Sequence, residues 1–254
     1  MSVTIKSARE IELMREAGKI LAKTHEELAK ALKPGMTTWD IDHLGEEIIR
    51  SYGCIPSFKN YNCYPASICV SVNDEVVHGI PSRKHFIEEG DIVSLDAGVI
   101  YKGYHSDAAR TYGIGEISPE AGRLIEVTKQ SFFEGIKFAK AGNHLNDISS
   151  ANQAYAESFG FGVVRDLVGH GIGSHLHEDP EVPNFAGRRR GLKLRPGMTL
   201  AIEPMINAGT PEVVWLDDDW TVVTEDGALS AHYENTVLIT EGEPELLSLV
   251  SEAH

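Results

Sequence analysis

The chain has 254 residues, 42% of them hydrophobic and 24% charged, which excludes a disordered or collagen-like protein. Its 38 acidic and 23 basic residues give a net charge of −15, and such an acidic surface disfavours a nucleic-acid partner. Because it has no apolar run of membrane-spanning length, no apolar leader segment and only three cysteines, we expect a cytoplasmic protein without a membrane partner.

The hydrophobic periodicity predicts four amphipathic helices. The first covers residues 7–32, where Ser7 and Glu10 have the spacing of a capping box, and the second covers 38–51. A third helix is expected from Ser118-Pro119 to about residue 140, because proline is favoured in the first turn, and a fourth over 146–159. Strands are predicted at residues 66–72, 91–95, 98–114, 163–167, 198–206, 213–216, 220–223 and 231–239.

Several sequence features recur at an offset of 107 residues. The matches predict one domain of residues 1–254 without an N-terminal extension, built from two similar halves at about 1–115 and 116–254. Each half would contain two helices followed by a sheet. The matched segments are 33–35 with 140–142, 40–41 with 147–148, 51–53 with 158–160, Gly90 with Gly197, 93–96 with 200–203 and, after a longer insertion, 105–107 with 232–234.

Four acidic residues occupy related positions in the two halves: Asp96, Asp107, Glu203 and Glu234. Asp96 and Glu203 each follow an apolar stretch, and Asp107 and Glu234 lie in segments of alternating polarity. Taken singly, each acid is compatible with a surface charge or an ion pair. Four carboxylates that converge between the halves would repel one another, and two divalent cations would neutralise their four charges. Their related placement therefore favours a shared two-metal site.

Histidines supply the remaining candidate ligands and catalytic groups. His170 lies in the glycine-dense segment 169–173, where the backbone can approach other groups closely. His175 and His177 alternate along an extended chain, so at most one of them should face the same site as His170. His78 begins another turn. One imidazole with four carboxylates makes an oxygen-rich site, which favours Mn, Fe or Co over a thiolate zinc site.

Together these motifs resemble those of type I methionine aminopeptidases, which have the pita-bread fold. They occur in the family's order and span nearly the whole chain. The resemblance implies a single catalytic domain of the α+β class, with two pseudo-symmetric ααββ-type halves and a central antiparallel sheet covered by helices. The matching segments are 73–81, Asp96 with Asp107, 169–173 with 177–180, 202–205, and 232–234.

The resemblance also implies a reaction mechanism. A water or hydroxide between two divalent metals would attack the scissile carbonyl, with Glu203 as general base. His177 would stabilise the tetrahedral intermediate, and His78 would contact the scissile amide and assist the leaving amine. The free amine of the substrate would occupy one metal. The implied metal ligands are Asp96, Asp107, His170, Glu203 and Glu234, of which Asp107 and Glu234 would bridge both metals.

An apolar pocket for the methionine side chain is implied at Phe58, Tyr61, Tyr64, Cys69, Leu176 and Trp220. Periodicity alone would favour ordinary core positions for them. Leu176 replaces the family's usual phenylalanine, and Cys63 stands where glycine is frequent. Neither change removes an apolar wall, so a preference for methionine is expected to persist, whereas pocket shape and inhibitor response remain open. A disulfide or metal site at Cys63 and Cys69 is disfavoured, because no second cysteine pair or paired histidine accompanies them.

We therefore expect a monomeric hydrolase that removes the N-terminal methionine from nascent proteins and peptides, with the ribosome as a candidate location. Two alternatives remain on the same fold: an Xaa-Pro aminopeptidase or prolidase, and a non-catalytic binding protein. Xaa-Pro enzymes typically carry an extra N-terminal domain, whereas this chain begins with the first predicted helix. Binding proteins on this fold lose metal ligands, and all five expected ligand positions are present here.

Overall fold

The computed structural model describes residues 3–249, and three of its four α-helices begin beside a residue whose side chain caps the first turn. The helices are Ala8–Ala31 (α1), Thr38–Ser51 (α2), Pro119–Ile136 (α3) and Leu145–Ser158 (α4), close to the predicted bounds. Before α1, Ser7 and Glu10 form the predicted capping box. No helix within residues 3–249 is both long enough and apolar enough to cross a membrane. The ends of the predicted domain, residues 1–2 and 250–254, lie outside the described residues.

The described part of the chain also contains fifteen short or medium strands and a 3₁₀ turn at Tyr61–Cys63. The strands before α3 are Ile55–Pro56 (β1), Ile68–Val72 (β2), Glu75–Val77 (β3), Ile92–Tyr101 (β4) and Tyr104–Gly113 (β5). Those after α4 are Gly162–Val163 (β6), Gly169–Gly171 (β7), Glu178–Val182 (β8), Thr199–Ile202 (β9), Met205–Asn207 (β10), Val213–Trp215 (β11), Val222–Thr224 (β12), Ser230–His232 (β13), Asn235–Leu238 (β14) and Glu245–Leu246 (β15).

The strands pair antiparallel in four sheets. In the four-stranded sheet, β4 pairs with β1, β2 and β5. The five-stranded sheet has the order β15-β14-β9-β7-β8, and the two three-stranded sheets have the orders β13-β10-β6 and β11-β12-β3. Helix α1 packs on β4 and β5, and α3 packs on α4 and β13. The predicted α+β class, with helices covering antiparallel sheet, is confirmed.

Separate apolar cores fill the two halves of the chain. One core packs α1 and α2 against the four-stranded sheet and includes the fully buried Leu21 and Leu95. The other packs α3 and α4 against the five-stranded sheet and includes Phe132 and Leu200. Since burial of apolar side chains is the main stabilising contribution to a fold, each half has its own source of stability.

The prediction of one strand over residues 98–114 is wrong. The chain reverses at Lys102-Gly103, where both φ angles are positive, at 48° and 86°. Two left-handed residues are what a two-residue hairpin turn requires, so β4 and β5 form a hairpin. The lysine-glycine pair was the local signal for this turn.

Two further predicted strands, 198–206 and 231–239, are each broken in two. The first breaks after β9 at Glu203-Pro204, because proline has no N–H to donate to a strand partner. The second breaks after β13 at Tyr233-Glu234, where the chain passes from the β10 sheet to the β9 sheet. Predicted strand 163–167 is reduced to β6, and five observed strands are absent from the prediction, namely β1, β3, β7, β8 and β15. The breaks place Glu203 and Glu234 outside the regular strands.

Backbone contacts recur at the same offset of 107 residues as the sequence features. Thr37 forms an isolated antiparallel bridge with Phe86, and His144 forms one with Lys193. The N–H groups of Thr37 and His144 also donate to the aspartate three residues later, to Asp40 over 2.9 Å and to Asp147 over 2.8 Å. Corresponding positions in the two halves therefore make corresponding contacts.

Candidate metal centre and active site

The β4–β5 hairpin positions the first two acidic residues. Asp96 lies opposite Ala109, and Gly98 lies opposite Asp107. Residues that oppose each other across an antiparallel pair share a face, and the same face returns every second residue. Asp96 and Asp107 therefore project from one face of the hairpin, diagonal to each other.

The second pair of acidic residues comes from the break between strands in the five-stranded sheet. Ile202, the last residue of β9, lies opposite Asn235, the first residue of β14. Glu203 directly follows one strand and Glu234 directly precedes the other, so the two residues are adjacent at the same end of this strand pair. Strand β7, on the other side of β9, contributes His170.

Hydrogen bonds join the two ligand-bearing sheets along β5 and β14. Thr236 Oγ1 lies 2.8 Å from the Asp107 nitrogen, which donates to it, and 2.9 Å from the Asp107 carbonyl oxygen, which accepts its proton. The Glu234 N–H donates to the Ala109 carbonyl over 2.9 Å. The buried Arg110 guanidinium donates to the Glu234 carbonyl. We call this set of contacts the seam, and it brings all four acids together.

The five predicted ligands meet at one side of a single cavity. His170 Nε2 lies 3.9 Å from Asp107 Oδ2 and 3.7 Å from Glu203 Oε1. One donor atom each from Asp107, His170 and Glu234 lie within 4.8 Å of one another. Asp96 is close enough to Asp107 for its negative charge to raise the pKa of Asp107. These positions have the spacing that ligands of one or two cations require.

Burial and mutual repulsion make this carboxylate cluster unfavourable without a cation. Burial raises the pKa of Asp96 to about 7. Burial, and then the neighbouring acids, raise the pKa values of Asp107, Glu203 and Glu234 well above their ordinary range. The buried oxygens Asp96 Oδ1 and Glu234 Oε1 have no hydrogen-bond partner within residues 3–249. Buried oxygens with unused lone pairs, in a cluster of four acids and one imidazole, fit divalent metal ions.

The predicted catalytic histidines face the same cavity. The His177 ring meets the His170 ring edge-on, with centroids 4.2 Å apart, and its Nδ1 lies 2.7 Å from the Tyr61 hydroxyl. His78 follows β3 in the left-handed conformation, with φ of 60°, and burial lowers its pKa to about 4. The His175 side chain is 81% exposed, which confirms that only one of the two alternating histidines faces His170.

The cavity has a volume of about 310 Å³, and apolar and aromatic side chains line it together with the carboxylates. The Tyr64 and Trp220 rings pack edge-on with centroids 5.1 Å apart. Cys63 is exposed, and its positive φ of 71° is a conformation that favours glycine. Cys63 and Cys69 are both free thiols, so they form no disulfide. All six residues of the predicted side-chain pocket line the cavity, namely Phe58, Tyr61, Tyr64, Cys69, Leu176 and Trp220.

Comparison with known proteins identifies the family to which the chain belongs. The sequence profile of metallopeptidase family M24 matches residues 12–241. This chain belongs to metallopeptidase family M24. Membership in M24 agrees with a site built from carboxylates and an imidazole.

Individual M24 relatives are similar over nearly the whole chain. The chain is 59% identical over 247 residues to a methionine aminopeptidase of Clostridium acetobutylicum, covering 97% of this chain and 99% of that protein. The crystal structure of methionine aminopeptidase from Thermotoga maritima matches with a TM-score of 0.95 at 46% identity, covering 97% and 99% of the two chains. An Xaa-Pro dipeptidase from Bacillus anthracis matches with a TM-score of 0.79 at 27% identity, over 96% of this chain and 61% of that one. These matches confirm the predicted pita-bread fold.

Sequence reasoning assigned no role to His232, on β13 of this M24 chain. The residue is buried, and its Nε2 lies 3.7 Å from Glu203 Oε2 without a hydrogen-bond partner in the described residues. Its only sequence signal was its position two residues before Glu234. Other cavity-lining residues that the sequence did not indicate are Asn62, Val77, Asp166, Leu167, Val168 and Met205.

Proposed function

We propose that this chain is a metal-dependent aminopeptidase that removes the N-terminal methionine from peptides and nascent proteins. The observation that carries the proposal is the junction of a buried carboxylate–histidine cluster with an apolar cavity of about 310 Å³. Such a cavity accommodates one unbranched apolar side chain beside hydrolytic groups. The similarity to methionine aminopeptidases over nearly the whole chain supports the same assignment.

The residues that would hold two divalent ions are Asp96, Asp107, His170, Glu203 and Glu234. Asp107 and Glu234 are the proposed ligands for both ions, since each interacts electrostatically with one acid of its own half and one acid of the other half. Carboxylate oxygens and one imidazole suit Mn, Fe or Co. A bound divalent ion supplies Lewis acidity, which makes water acidic enough to attack at neutral pH and polarises a carbonyl oxygen.

The protein's own groups would move the protons. The Glu203 carboxylate would accept a proton from the attacking water and pass it to the departing amine. His177 would donate a hydrogen bond to the oxygen of the scissile carbonyl, where negative charge develops. Because burial lowers the pKa of His78 to about 4, its ring is neutral at pH 7 and offers one N–H to the scissile amide.

The apolar side of the cavity would select the substrate. The ring of Tyr64 is fixed by its hydroxyl, which donates to the Gly79 carbonyl over 2.8 Å, and Trp220 packs against that ring. Leu176 and Cys69 are buried and complete an uncharged wall. A methionine side chain would bury its thioether there, because the wall offers it dispersion contacts without requiring hydrogen bonds.

The experiment compares the release of amino acids from Met-Ala-Ser and from Ala-Pro-Ala. Chelator-treated protein is supplied in turn with Co²⁺, Mn²⁺, Fe²⁺ or Zn²⁺, and a Glu203→Gln variant controls for contaminating peptidases. We expect methionine release that returns only with added metal and is lost in the variant. Cleavage of Ala-Pro-Ala alone would place the chain with the Xaa-Pro enzymes, and metal binding without cleavage of either peptide would indicate a binding role. Both results would contradict the proposal.

We further propose that the enzyme works as a cytoplasmic monomer, on chains that include those emerging from the ribosome. The support for the compartment is the three free cysteines, which are typical of a reducing environment, and the support for the monomer is a cavity formed within one chain. Analytical ultracentrifugation tests the monomer, and co-sedimentation with translating ribosomes tests the location. A stable dimer, or exclusion from translating ribosomes, would contradict the corresponding part.

A further inference from the structure

We propose that Tyr61 is a positioning residue that fixes the tautomer of His177, so that the His177 Nε2–H points at the substrate carbonyl. This inference rests on the proposed function and assigns Tyr61 a role beyond that of a pocket wall. It concerns where a proton sits on a neutral ring. The geometry of one hydrogen bond and of the loop that carries Tyr61 supports it.

The two side chains are in direct contact although 116 residues separate them. The Tyr61 hydroxyl lies 2.7 Å from His177 Nδ1, a short distance for such a bond. Their rings also meet edge-on, with centroids 5.1 Å apart. Both residues line the cavity that contains the metal-ligand cluster. The contact therefore constrains both the orientation of the imidazole and its hydrogen-bonding pattern.

The chemistry of the two groups sets the direction of this bond. Burial raises the pKa of the Tyr61 phenol, so its oxygen keeps its proton. A phenol is a better hydrogen-bond donor than acceptor, so the Tyr61 hydroxyl donates its proton to His177 Nδ1, its hydrogen-bond partner within residues 3–249. A neutral imidazole has one donor nitrogen and one acceptor nitrogen. If Nδ1 accepts from Tyr61, the ring proton must sit on Nε2, the nitrogen free to meet substrate.

The loop around Tyr61 is built to hold its hydroxyl in place. Asn60, Asn62 and Cys63 all have positive φ angles, at 68°, 46° and 71°. A left-handed backbone is unfavourable for a residue with a Cβ, although least so for asparagine, so neighbouring contacts must hold this backbone. Backbone hydrogen bonds do so, from the Tyr61 N–H to the Phe58 carbonyl over 2.8 Å and from the Tyr64 N–H to the Tyr61 carbonyl over 2.9 Å. The backbone that carries the Tyr61 phenol is thus held in one conformation beside His177.

Nitrogen-15 NMR of the zinc-loaded enzyme tests the tautomer directly, because protonated and unprotonated ring nitrogens have well-separated shifts. A His177→Ala spectrum identifies the His177 signals. We expect one tautomer, protonated on Nε2, in the wild type and a mixture in Tyr61→Phe. The matched control is Tyr64→Phe, which also loses a hydroxyl in the cavity but one that donates to a backbone carbonyl, so the His177 tautomer should be unchanged. A wild-type ring protonated on Nδ1, or an unaltered ring in Tyr61→Phe, would overturn the proposal.

Kinetics provide the second readout. Because Tyr61→Phe keeps the aromatic wall, KM for a methionine peptide should change little, while kcat falls about three- to tenfold, the value of one neutral hydrogen bond. In a His177→Ala background the same substitution should have no further effect on kcat. A tenfold loss that persists in that background would assign Tyr61 a role independent of His177. If the wild type released no methionine, the proposed function would fail, and the NMR result would still decide the tautomer.

Discussion

Replacement of Asp96 by asparagine in metal-free protein should make the fold more stable, and increasingly so as pH rises. The folded protein holds a proton on this carboxyl up to a pKa of about 7, whereas the ordinary value is 3.8. Between these values the folded state binds more protons than the unfolded state, so the free energy of unfolding falls as pH rises. At 1.36 kcal/mol per pH unit, the penalty carried by the wild type above pH 7 is at most about 4 kcal/mol.

Buried histidines change the free energy of unfolding with pH in the direction opposite to Asp96. The pH dependence of wild-type stability alone therefore does not isolate the contribution of Asp96. Burial lowers the pKa values of His25, His170 and His232 to about 3, which makes stability rise with pH between about 3 and 6.5. The difference between Asp96→Asn and wild type cancels most of this contribution. Asparagine keeps the shape of the side chain and removes only the ionisable group.

The assay is urea unfolding followed by circular dichroism, on chelator-treated protein between pH 4 and 8. The variant and wild type should have similar unfolding free energies near pH 4. The unfolding free energy of the variant should then exceed that of the wild type by an amount that increases steadily up to about pH 7. With saturating Mn²⁺ the order should reverse at pH 7.5, because an ion that binds only the folded state stabilises it and the variant has lost a ligand. A pH-independent difference, or the same difference with and without Mn²⁺, would refute the electrostatic reasoning.

Three further predictions concern the surroundings of the cluster. His177→Ala should lower kcat about 10²- to 10³-fold with the metal content unchanged by elemental analysis, whereas a metal-free variant would make His177 a ligand. Cys63→Gly should raise the urea-unfolding free energy by about 1 kcal/mol by relieving the left-handed strain, and no gain would mean that the loop is unstrained. Gly169→Ala should cost about 1–3 kcal/mol, because its new Cβ would lie 2.3 Å from the Ala201 carbonyl oxygen, and an unchanged melting temperature would contradict this crowding.

The sequence predicted the parts of the fold that local interactions decide. The helix starts were found because Ser7 and Ser118 cap turns a few residues away, through contacts visible in the sequence itself. The strand breaks at Glu203 and Glu234 escaped prediction, since they depend on which sheet the chain joins next. Glu234, for example, donates its N–H to Ala109, 125 residues earlier.

In the candidate site, too, the features marked in the sequence could be predicted and the contacts between distant segments could not. The four acids could be predicted because related sequence positions in two halves marked them, and the structure does bring them together. The Tyr61 contact with His177 and the approach of His232 to Glu203 join distant segments with no periodic pattern. Such contacts depend on how the strands pair in the folded sheets, so they could not be predicted from the sequence.

We propose that the two halves are copies of one structural unit, supported by the matching bridges of Thr37 and His144. Each half packs its own core, and each contributes two of the four acids, so the spacing of the cluster is set by the seam rather than by either half. A small molecule or a bulky substitution that wedged the seam open by an ångström would weaken cation affinity without entering the cavity. Inhibitors of this enzyme can therefore be designed to bind at the seam, outside the substrate pocket. The affinity of the protein for the cation measures whether the contacts of the seam remain formed.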